Sequence, residues 1–255
     1  MRLEKLELSN FYMFNGKQEI KFSEDSKMTI IEGQNGSGKT MLVKAMKVAL
    51  GLEKQSEEHE KPQLECNFDS TIINNENEFL FFQDGERLQI FADEDFLKLK
   101  MDPEVFENFF VNVRILFLNS IDKKGLDITH NAEKIMMIES GTDISHSPAK
   151  GDQMILSCCM LIALKKILFP NSFLVLDSPF HNISQEYKEK LCHVLLEHSS
   201  QVIIFVTDAE YRTTVQIDAD TELLSVKNII KNLNPAVSEY RLVTNEDQTK
   251  IENCL

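Results

Sequence analysis

The sequence predicts an α/β fold, with a mixed central sheet flanked by helices and a smaller antiparallel β unit at the N-terminus. Three observations lead to this class. The apolar, β-branched run 28–31 is followed by a Gly-rich loop and then by ten residues without Gly or Pro, which indicates strand, loop and helix. A second apolar run, 173–176, ends in an acidic residue. Leu3–Leu8 largely alternates apolar and charged residues, which is typical of a half-buried strand.

The Gly-rich loop Gly33–Thr40 has the sequence G-Q-N-G-S-G-K-T and fits the phosphate-binding P-loop pattern. Glycines let main-chain N–H groups surround a phosphate, and the N-terminus of the next helix adds a positive dipole end. Lys39 is therefore expected at the β- and γ-phosphates of ATP, and Thr40 on Mg²⁺. The residues assigned to the nucleotide are Gln34, Asn35, Gly36, Ser37, Gly38, Lys39 and Thr40.

Composition excludes several function classes. The chain has 255 residues and a net charge of −14, and acidic residues outnumber basic ones by sixteen to five over residues 51–110. Such a chain is a poor non-specific DNA binder by itself, because phosphate binding relies on Lys and Arg. No apolar run reaches membrane-spanning length. The five scattered cysteines lack C-x-x-C spacing, so we expect reduced thiols, no zinc site and a cytoplasmic location.

The remaining elements are predicted from periodicity and turn residues. Strands are expected at 18–22, 64–68, 78–82, 88–91, 111–118, 202–206 and 240–243, with a β pair over 125–138. Helices are expected at 93–110, broken at Pro103, at 154–168 and at 185–198. Turns or loops are expected at 10–16, 53–62, 74–75, 84–85 and 148–153.

Asp177, at the end of the apolar run 173–176, suits the acidic residue that orders Mg²⁺ through water in P-loop proteins. The alternative is a core strand with a chance Asp at its end. The position of Asp177, far along the chain from the P-loop, does not suit a small GTPase and does suit an ABC-type ATPase. In that class a signature loop and helix precede this strand, and Ala149–Gln153 with its following helix stands there.

At this point the chain resembles a family, the head domain of the SMC-type ABC ATPases that act on DNA, and within it the DndD ATPases of DNA sulfur modification. The resemblance rests on an ordered set of segments and covers nearly the whole chain. One of these segments is the P-loop, which is the Walker A loop. The others are Leu6–Phe11, Phe81–Arg87 at the Q-loop, Ala149–Gln153 at the signature, Leu176–Pro179 at Walker B, Phe205–Glu210 at the switch strand, and the final strand pair from Glu239.

The chain also departs from this family. Only a short connector stands where relatives carry a long coiled coil, so tethering of distant DNA is not expected. Ala149 replaces the signature Ser, for which Ser147 is an alternative in another alignment, and Lys150 replaces the first signature Gly. In the remaining replacements Ser178 stands for the catalytic Glu, Thr207 for the switch His and Tyr12 for a basic residue.

The resemblance implies one head of 255 residues in three parts: an N-terminal lobe (about 1–92), a connector (about 93–146) and a C-terminal lobe (about 147–255). It also implies an ATP-dependent homodimer in which two heads enclose two ATP molecules. Expected catalytic residues are Lys39, Asp177, Ser178 and Asp208, and expected metal ligands are Thr40, Asp177 and Asp84. Ala149, Lys150, Gly151 and Asp152 would contact the nucleotide of the opposite subunit.

Three functions stay open at this stage. The first is a slow ATPase, in which Asp84, Glu86 or Asp208 supplies the carboxylate that Ser178 lacks. The second is an ATP-gated scaffold with little or no hydrolysis. The third is a small-molecule P-loop kinase or other ATP-using transferase, which the late Asp177 and the loop and helix before it disfavour. The resemblance implies a DNA modification, repair or phage-defence complex, with a nuclease or DNA-modification subunit as partner, DNA contacted through that complex, and no membrane.

Overall fold

A computed structural model describes residues 2–49, 63–68, 80–84, 87–91, 103–130, 135–168, 170, 172–213, 215–216, 222–223, 225–245 and 248–254. The strands are β1 (Leu3–Phe11), β2 (Phe14–Lys21), β3 (Met28–Gly33), β4 (Gln63–Phe68), β5 (Leu80–Asp84), β6 (Arg87–Phe91), β7 (Leu126–His130), β8 (Ile135–Glu139), β9 (Thr142–Asp143), β10 (Leu174–Asp177), β11 (Val202–Val206), β12 (Val215–Gln216), β13 (Glu222–Leu223), β14 (Ser238–Asn245) and β15 (Gln248–Asn253). The helices are α1 (Lys39–Ala49), α2 (Pro103–Ser120), α3 (Lys150–Leu168), α4 (Gln185–His198), α5 (Asp208–Arg212) and α6 (Val226–Leu233).

The central sheet has the order β15-β14-β3-β11-β10-β5-β6. The five inner strands are parallel, and β15 and β6 run antiparallel at the two edges. Strands from the N-terminal and C-terminal parts of the chain are interleaved in this sheet. The strand β3 lies between β14 and β11, and β5 pairs with β10. The predicted mixed sheet flanked by helices is confirmed.

Both faces of the central sheet are covered, and β11 shows how. Val202, Ile204 and Val206 join the core formed with α2, α3 and α4, whereas Ile203 and Phe205 join the core formed with β1, β2 and α1. All five residues are fully buried. A strand buried on both faces has a continuous apolar sequence rather than an alternating one, as predicted for 202–206.

The second core lies under a separate antiparallel sheet of order β2-β1-β4. Leu6 and Leu8 of β1 and Ile20 of β2 face this core, together with Leu42 and Met46 of α1. This sheet is the predicted N-terminal antiparallel β unit. It covers the helix that follows the P-loop and so holds the start of that helix in place.

The predicted strand 111–118 is wrong, because these residues lie inside α2, which begins at Pro103 and ends at Ser120. Proline is well tolerated at the first position of a helix, where its missing N–H has no partner to lose. The buried residues of α2 follow helical spacing, whereas Val111, Ile115 and Leu118 lie on its exposed side. The β-branched and aromatic content of this stretch favoured a strand, but packing against α3 and α4 decides for a helix.

Two further boundaries are corrected. The predicted loop 148–153 is helical from Lys150 onward, so α3 begins four residues earlier than expected. The predicted turn 10–16 is shorter, because β2 already begins at Phe14. The β pair within 125–138 is confirmed as β7 and β8. The predictions for 53–62, 74–75, Gly85 and 93–102 lie outside the described residues.

Candidate functional site

The P-loop connects β3 to α1 as the sequence predicts. Gly36 and Gly38 adopt positive φ values of 83° and 94°. A Cβ on Gly38 would lie 2.6 Å from the Sδ atom of Met13, a flexible side chain that can shift, so it is the backbone conformation that requires glycine. The loop therefore keeps the curled main chain that surrounds a phosphate group.

Lys39, the first residue of α1, turns back toward the loop. Its Nζ atom donates hydrogen bonds to the carbonyl oxygens of Gly33 at 2.6 Å and Gln34 at 2.9 Å. Burial lowers the pKa of Lys39, and the charges of Asp177 and two other carboxylates oppose that shift. A buried ammonium group held over the loop is placed to pair with phosphate oxygens.

Three cavities in the described part of the chain adjoin one another, and Asn35 lines all of them. The first, the phosphate cavity of about 390 Å³, is lined by Met13, Asn35, Gly36, Gly38, Lys39, Thr40, Met41, Asp177, Ser178 and Thr207. It therefore brings together Lys39, Thr40, Asp177 and Ser178, which the sequence assigned to catalysis and metal binding. Asp208 lies outside this cavity, in the two neighbouring ones.

The second cavity, called here the turn cavity, measures about 670 Å³. The third, the arginine cavity, measures about 630 Å³. The turn cavity is lined by Gln34, Asn35, Ser178, Phe180, His181, Asn182, Ile183, Lys188, Thr207, Asp208, Ala209 and Glu210. The arginine cavity is lined by Gln34, Asn35, Gly36, Ser37, Asp208, Arg212, Arg241, Leu242, Val243 and Thr244.

Asp177 ends β10, and a tight turn follows it. Ser178 has a φ of 52° and donates its hydroxyl to Asp177 Oδ1 at 3.3 Å, while its N–H donates to the carbonyl of Phe205 at 2.8 Å. The serine thus points at the residue expected to order Mg²⁺. Asp84, at the end of β5, is the cross-strand neighbour of Asp177, but its side chain lies outside the described residues, as does Glu86.

Sequence reasoning did not assign Glu210 to the site, although this residue connects its two halves. The carboxylate is 8% exposed and accepts hydrogen bonds from the N–H groups of Phe180 at 2.8 Å and Thr207 at 3.4 Å. The Thr207 hydroxyl accepts the N–H of Glu210 at 3.2 Å, which completes a capping box on α5. Burial raises the pKa of Glu210, and the two main-chain donors oppose this shift.

The T-x-x-E spacing of Thr207 and Glu210 was a visible capping signal. It predicts the local bond to Thr207 but not the bond to Phe180, which depends on how β10 and β11 pair.

Ala149–Asp152, predicted to contact a nucleotide in trans, line none of the three cavities. They form the start of α3, where the first main-chain N–H groups lack helical acceptors. Ala149 and Lys150 are exposed, whereas the Asp152 carboxylate is buried and lies 3.2 Å from Lys123 Nζ. Asp152 thus holds the helix start in place.

Two side chains of the arginine cavity share one buried carboxylate. Glu32, 1% exposed, is the penultimate residue of β3 and pairs with Arg212, with Arg241 Nη2 at 3.5 Å. Burial raises the pKa of Glu32 and the Arg212 guanidinium opposes it. This pairing ties β3, α5 and β14 together directly beneath the loop.

Tyr12, which by resemblance stands where many relatives have a basic residue, has a cation beside it. Lys44 Nζ of α1 lies 2.7 Å from the Tyr12 hydroxyl and 5.0 Å from the ring centroid. Positive charge is therefore present at this position, although it comes from a different element.

The phosphate cavity fits a nucleotide with Mg²⁺. Its loop carries main-chain donors and an ammonium group, and it adds the hydroxyl of Thr40 and the carboxylate of Asp177, which are oxygen ligands of the kind Mg²⁺ prefers. Among the described residues, no group of three or more His, Cys, Asp or Glu side chains is placed to hold a metal ion. That absence is expected for Mg²⁺ sites, which use one or two carboxylates together with substrate phosphates.

Comparison with known proteins agrees with this geometry. The sequence profile of a family described as an AAA domain matches residues 5–253. No curated protein matches the sequence. AAA ATPases and SMC heads bind ATP with Mg²⁺ in general.

Of the helices within the described ranges, none is both long enough and apolar enough to cross a lipid bilayer.

Solved structures of SMC heads share the fold. An SMC head bound to the C-terminal winged-helix domain of ScpA is 16% identical with a TM-score of 0.66, and the match covers 99% of this chain and 97% of that one. The SMC head of Thermotoga maritima is 16% identical with a TM-score of 0.59, covering both chains completely. The Pyrococcus furiosus head bound to the C-terminal domain of ScpA is 12% identical with a TM-score of 0.60, covering 98% and 96%.

Proposed function

We propose, from the premise that this chain belongs to the AAA domain family, that it is an ATP-binding head which pairs with a second copy around ATP and hydrolyses it slowly. The observation that carries the proposal is the phosphate cavity, in which Lys39, Thr40 and Asp177 of two separate segments face one space. This arrangement is the one that phosphoryl transfer requires, because its catalysis is mostly positioning and charge stabilisation.

Each residue then has a defined task. The loop N–H groups and Lys39 hold the phosphates, and Thr40 and Asp177 would hold Mg²⁺, with the Asp84 carboxylate as a further candidate ligand. Bound Mg²⁺ supplies charge neutralisation at the phosphate oxygens. Ser178, which replaces a carboxylate, orients water less effectively than a general base, so the expected turnover is slow.

The second copy would complete the site through the start of α3. Ala149, Lys150 and Gly151 offer main-chain N–H groups and an exposed ammonium group at a helix N-terminus, a combination that favours phosphate oxygens. Because these groups line none of the three cavities at the P-loop, a nucleotide site that uses them needs another molecule. A homodimer is therefore part of the proposal.

We further propose that the head works in the cytoplasm in a DNA modification, repair or phage-defence complex, as the resemblance to DndD ATPases suggests. Two of the similar heads were solved bound to domains of ScpA, which supports the expectation of a partner protein for this chain too. A nuclease or DNA-modification subunit is our candidate, with DNA contacted through that complex because the chain is acidic.

A second function, an ATP-gated scaffold with little or no hydrolysis, is favoured by Ser178. A serine has no carboxylate to activate water, and the hydroxyl of Ser178 donates to Asp177. In that case ATP binding would change the dimerisation or docking state, and turnover would be absent.

Steady-state ATP hydrolysis by the purified chain over a range of protein concentrations tests the two functions, beside Lys39→Ala. A specific rate that climbs with protein concentration and vanishes in the variant supports the composite dimer ATPase. Bound Mg-ATP with no turnover in either protein supports the gated scaffold. Failure of the unaltered chain to bind Mg-ATP rejects both.

A further inference from the structure

The turn cavity is formed by two segments that carry the polar groups beyond the P-loop. One segment is the turn 178–183 after β10, and the other is the end of β11 with the start of α5. Ser178 comes from the first segment, and Thr207 comes from the second. Both residues also line the phosphate cavity, so their separation decides how closely they approach the end of a bound nucleotide.

The turn 178–183 has an unfavourable backbone. Ser178 and Asn182 adopt positive φ values of 52° and 61°, which residues with side chains keep only where their surroundings hold them. Within the turn, the N–H of His181 donates to the Ser178 carbonyl at 3.1 Å. That bond closes the turn but does not fix its position relative to β11.

Two hydrogen bonds to acceptors outside the turn fix its position relative to β11. The Ser178 N–H donates to the Phe205 carbonyl, which continues the pairing of β10 with β11. The Phe180 N–H donates to Glu210 Oε1 at 2.8 Å, and this bond lies beyond the end of the pairing between β10 and β11. The second carboxylate oxygen accepts the Thr207 N–H at 3.4 Å. One buried carboxylate thus holds a donor from each segment.

A carboxylate suits this position because both of its oxygens are acceptors. A glutamine of the same size has one acceptor oxygen and one NH₂ group, and the NH₂ group would face an N–H donor. Loss of a partner for a buried N–H is unfavourable, so the two segments would separate locally. The electrostatic attraction of Lys188, on another wall of the cavity, also acts on this carboxylate.

We propose that Glu210 is a positioning residue for the terminal phosphate of ATP: by holding the Phe180 and Thr207 N–H groups it keeps Ser178 and Thr207 at the distance from which they contact that phosphate. This inference rests on the proposed ATP-binding function. It predicts that Glu210 contributes to the preference for ATP over ADP, because ADP lacks the group that lies between the two segments. The hydrogen bonds that the Glu210 carboxylate accepts come from Phe180 and Thr207 rather than from the P-loop, and its charge acts on Lys39 in both nucleotide complexes.

The test compares the affinities of the full chain for a slowly hydrolysed Mg-ATP analogue and for Mg-ADP, measured by calorimetry. Glu210→Gln is expected to reduce the preference for the ATP analogue about tenfold while the dissociation constant for ADP changes less than about twofold. Glu239→Gln is the matched control, because Glu239 is similarly buried but pairs with Lys227 and Lys231 outside the three cavities. Its ATP-to-ADP preference is expected to equal that of the unaltered chain.

Amide hydrogen exchange supplies a second readout that does not depend on turnover. In Glu210→Gln, faster exchange is expected for the N–H groups of Phe180 and Thr207, and unchanged exchange for α1. A folded Glu210→Gln protein with an unchanged ATP-to-ADP preference would overturn the inference and leave the proposed function intact. An unaltered chain that binds neither nucleotide would reject the proposed function, and the inference with it.

Discussion

Gly151, in the first turn of α3, lies against the carbonyl oxygen of Asn182 in the turn after β10. A Cβ built on Gly151 would stand 2.5 Å from that oxygen, closer than any real contact of this kind. The helix start proposed to contact a second molecule therefore rests directly on the turn that carries Ser178. A shift of either segment is passed to the other through this contact.

The first prediction concerns that contact. Gly151→Ala forces a main-chain oxygen to move, so we expect a loss of about 1–3 kcal/mol in the free energy of unfolding, typical of overpacking. Urea denaturation measures the loss. Gly141→Ala is the comparison, because Gly141 has a φ of 85° and no neighbour within 4 Å of the added atom. Gly141→Ala should lower the free energy of unfolding through backbone strain and leave ATP binding normal. Gly151→Ala should also weaken ATP binding.

The second prediction concerns Ser178. Its hydroxyl lies beside Asp177 in the phosphate cavity, where a carboxylate would be able to orient water. Ser178→Glu is expected to raise ATP turnover about tenfold or more, since a positioned general base contributes roughly 10²–10⁴-fold. Ser178→Gln introduces a side chain similar in size to that of Glu but without a basic group, and it should not raise ATP turnover. Equal rates for the two variants would mean that a base is not what limits turnover.

The third prediction concerns Lys165, whose side chain is 1% exposed within α3. Its Nζ atom donates to the Pro170 carbonyl at 2.8 Å, and burial lowers its pKa from 10.5 to about 8. The charged form is disfavoured by roughly 3 kcal/mol at about 1.4 kcal/mol per pKa unit, against about 1 kcal/mol for the hydrogen bond. Lys165→Met should therefore increase the free energy of unfolding at pH 7 by about 2 kcal/mol.

The pH dependence of this effect has a definite sign. Between pH 8 and 10.5 the unfolded chain binds more protons at Lys165 than the folded chain does, so the stability of the unaltered protein rises there. The advantage of Lys165→Met is thus largest below pH 8 and shrinks toward pH 10.5. Denaturant unfolding of both proteins at pH 7, 9 and 10.5 measures it, and a difference that stays constant with pH would contradict this assignment.

The fourth prediction concerns the pair of Glu32 and Arg212. Removing one partner of a buried pair costs roughly 3–5 kcal/mol, but Arg212 is partly exposed and Arg241 remains, so Arg212→Met should cost about 2 kcal/mol. Glu32→Gln in the same protein should restore part of the loss, because no charge is then left buried. A double-mutant cycle measures this coupling.

The same pair also gives a pH test. Burial raises the pKa of Glu32, so its favourable contribution is present below about pH 4.5 and is lost as the pH rises through the folded-state pKa. Without the guanidinium of Arg212 that pKa rises further. The deficit of Arg212→Met should therefore be smaller at pH 4.5 than at pH 7, and a deficit independent of pH would contradict the buried carboxylate as its source.

The elements predicted best from sequence are those whose environment is uniform along their length. The strand at 202–206 and the helix at 185–198 have the predicted bounds, because one is buried on both faces and the other has a single apolar face. The stretch 111–118 failed because its apolar residues are not all buried. Val111, Ile115 and Leu118 are exposed, and nothing local distinguishes them from the buried residues beside them.

The candidate site divides in the same way. The P-loop and Asp177 could be proposed from sequence because each lies in a recognisable run of contiguous residues, and the structure brings them into one cavity. Glu210 was missed because its partner Phe180 is thirty residues away and becomes a neighbour only through sheet pairing. The start of α3 was assigned to a loop because of Gly151, whose small size serves the contact with Asn182 rather than a turn.

The alternation of strands in the central sheet means that neither end of the chain holds a continuous sheet by itself. If the polypeptide were divided between β6 and α2, the first fragment would retain β3 and β5 without the two strands, β11 and β10, that lie between them. The second fragment would retain β14 and β11 without β3, the strand that lies between them. Each fragment would be an incomplete template for the other. Co-produced fragments should therefore reassemble through strand pairing, so the two segments that line the phosphate cavity could be supplied as separate polypeptides.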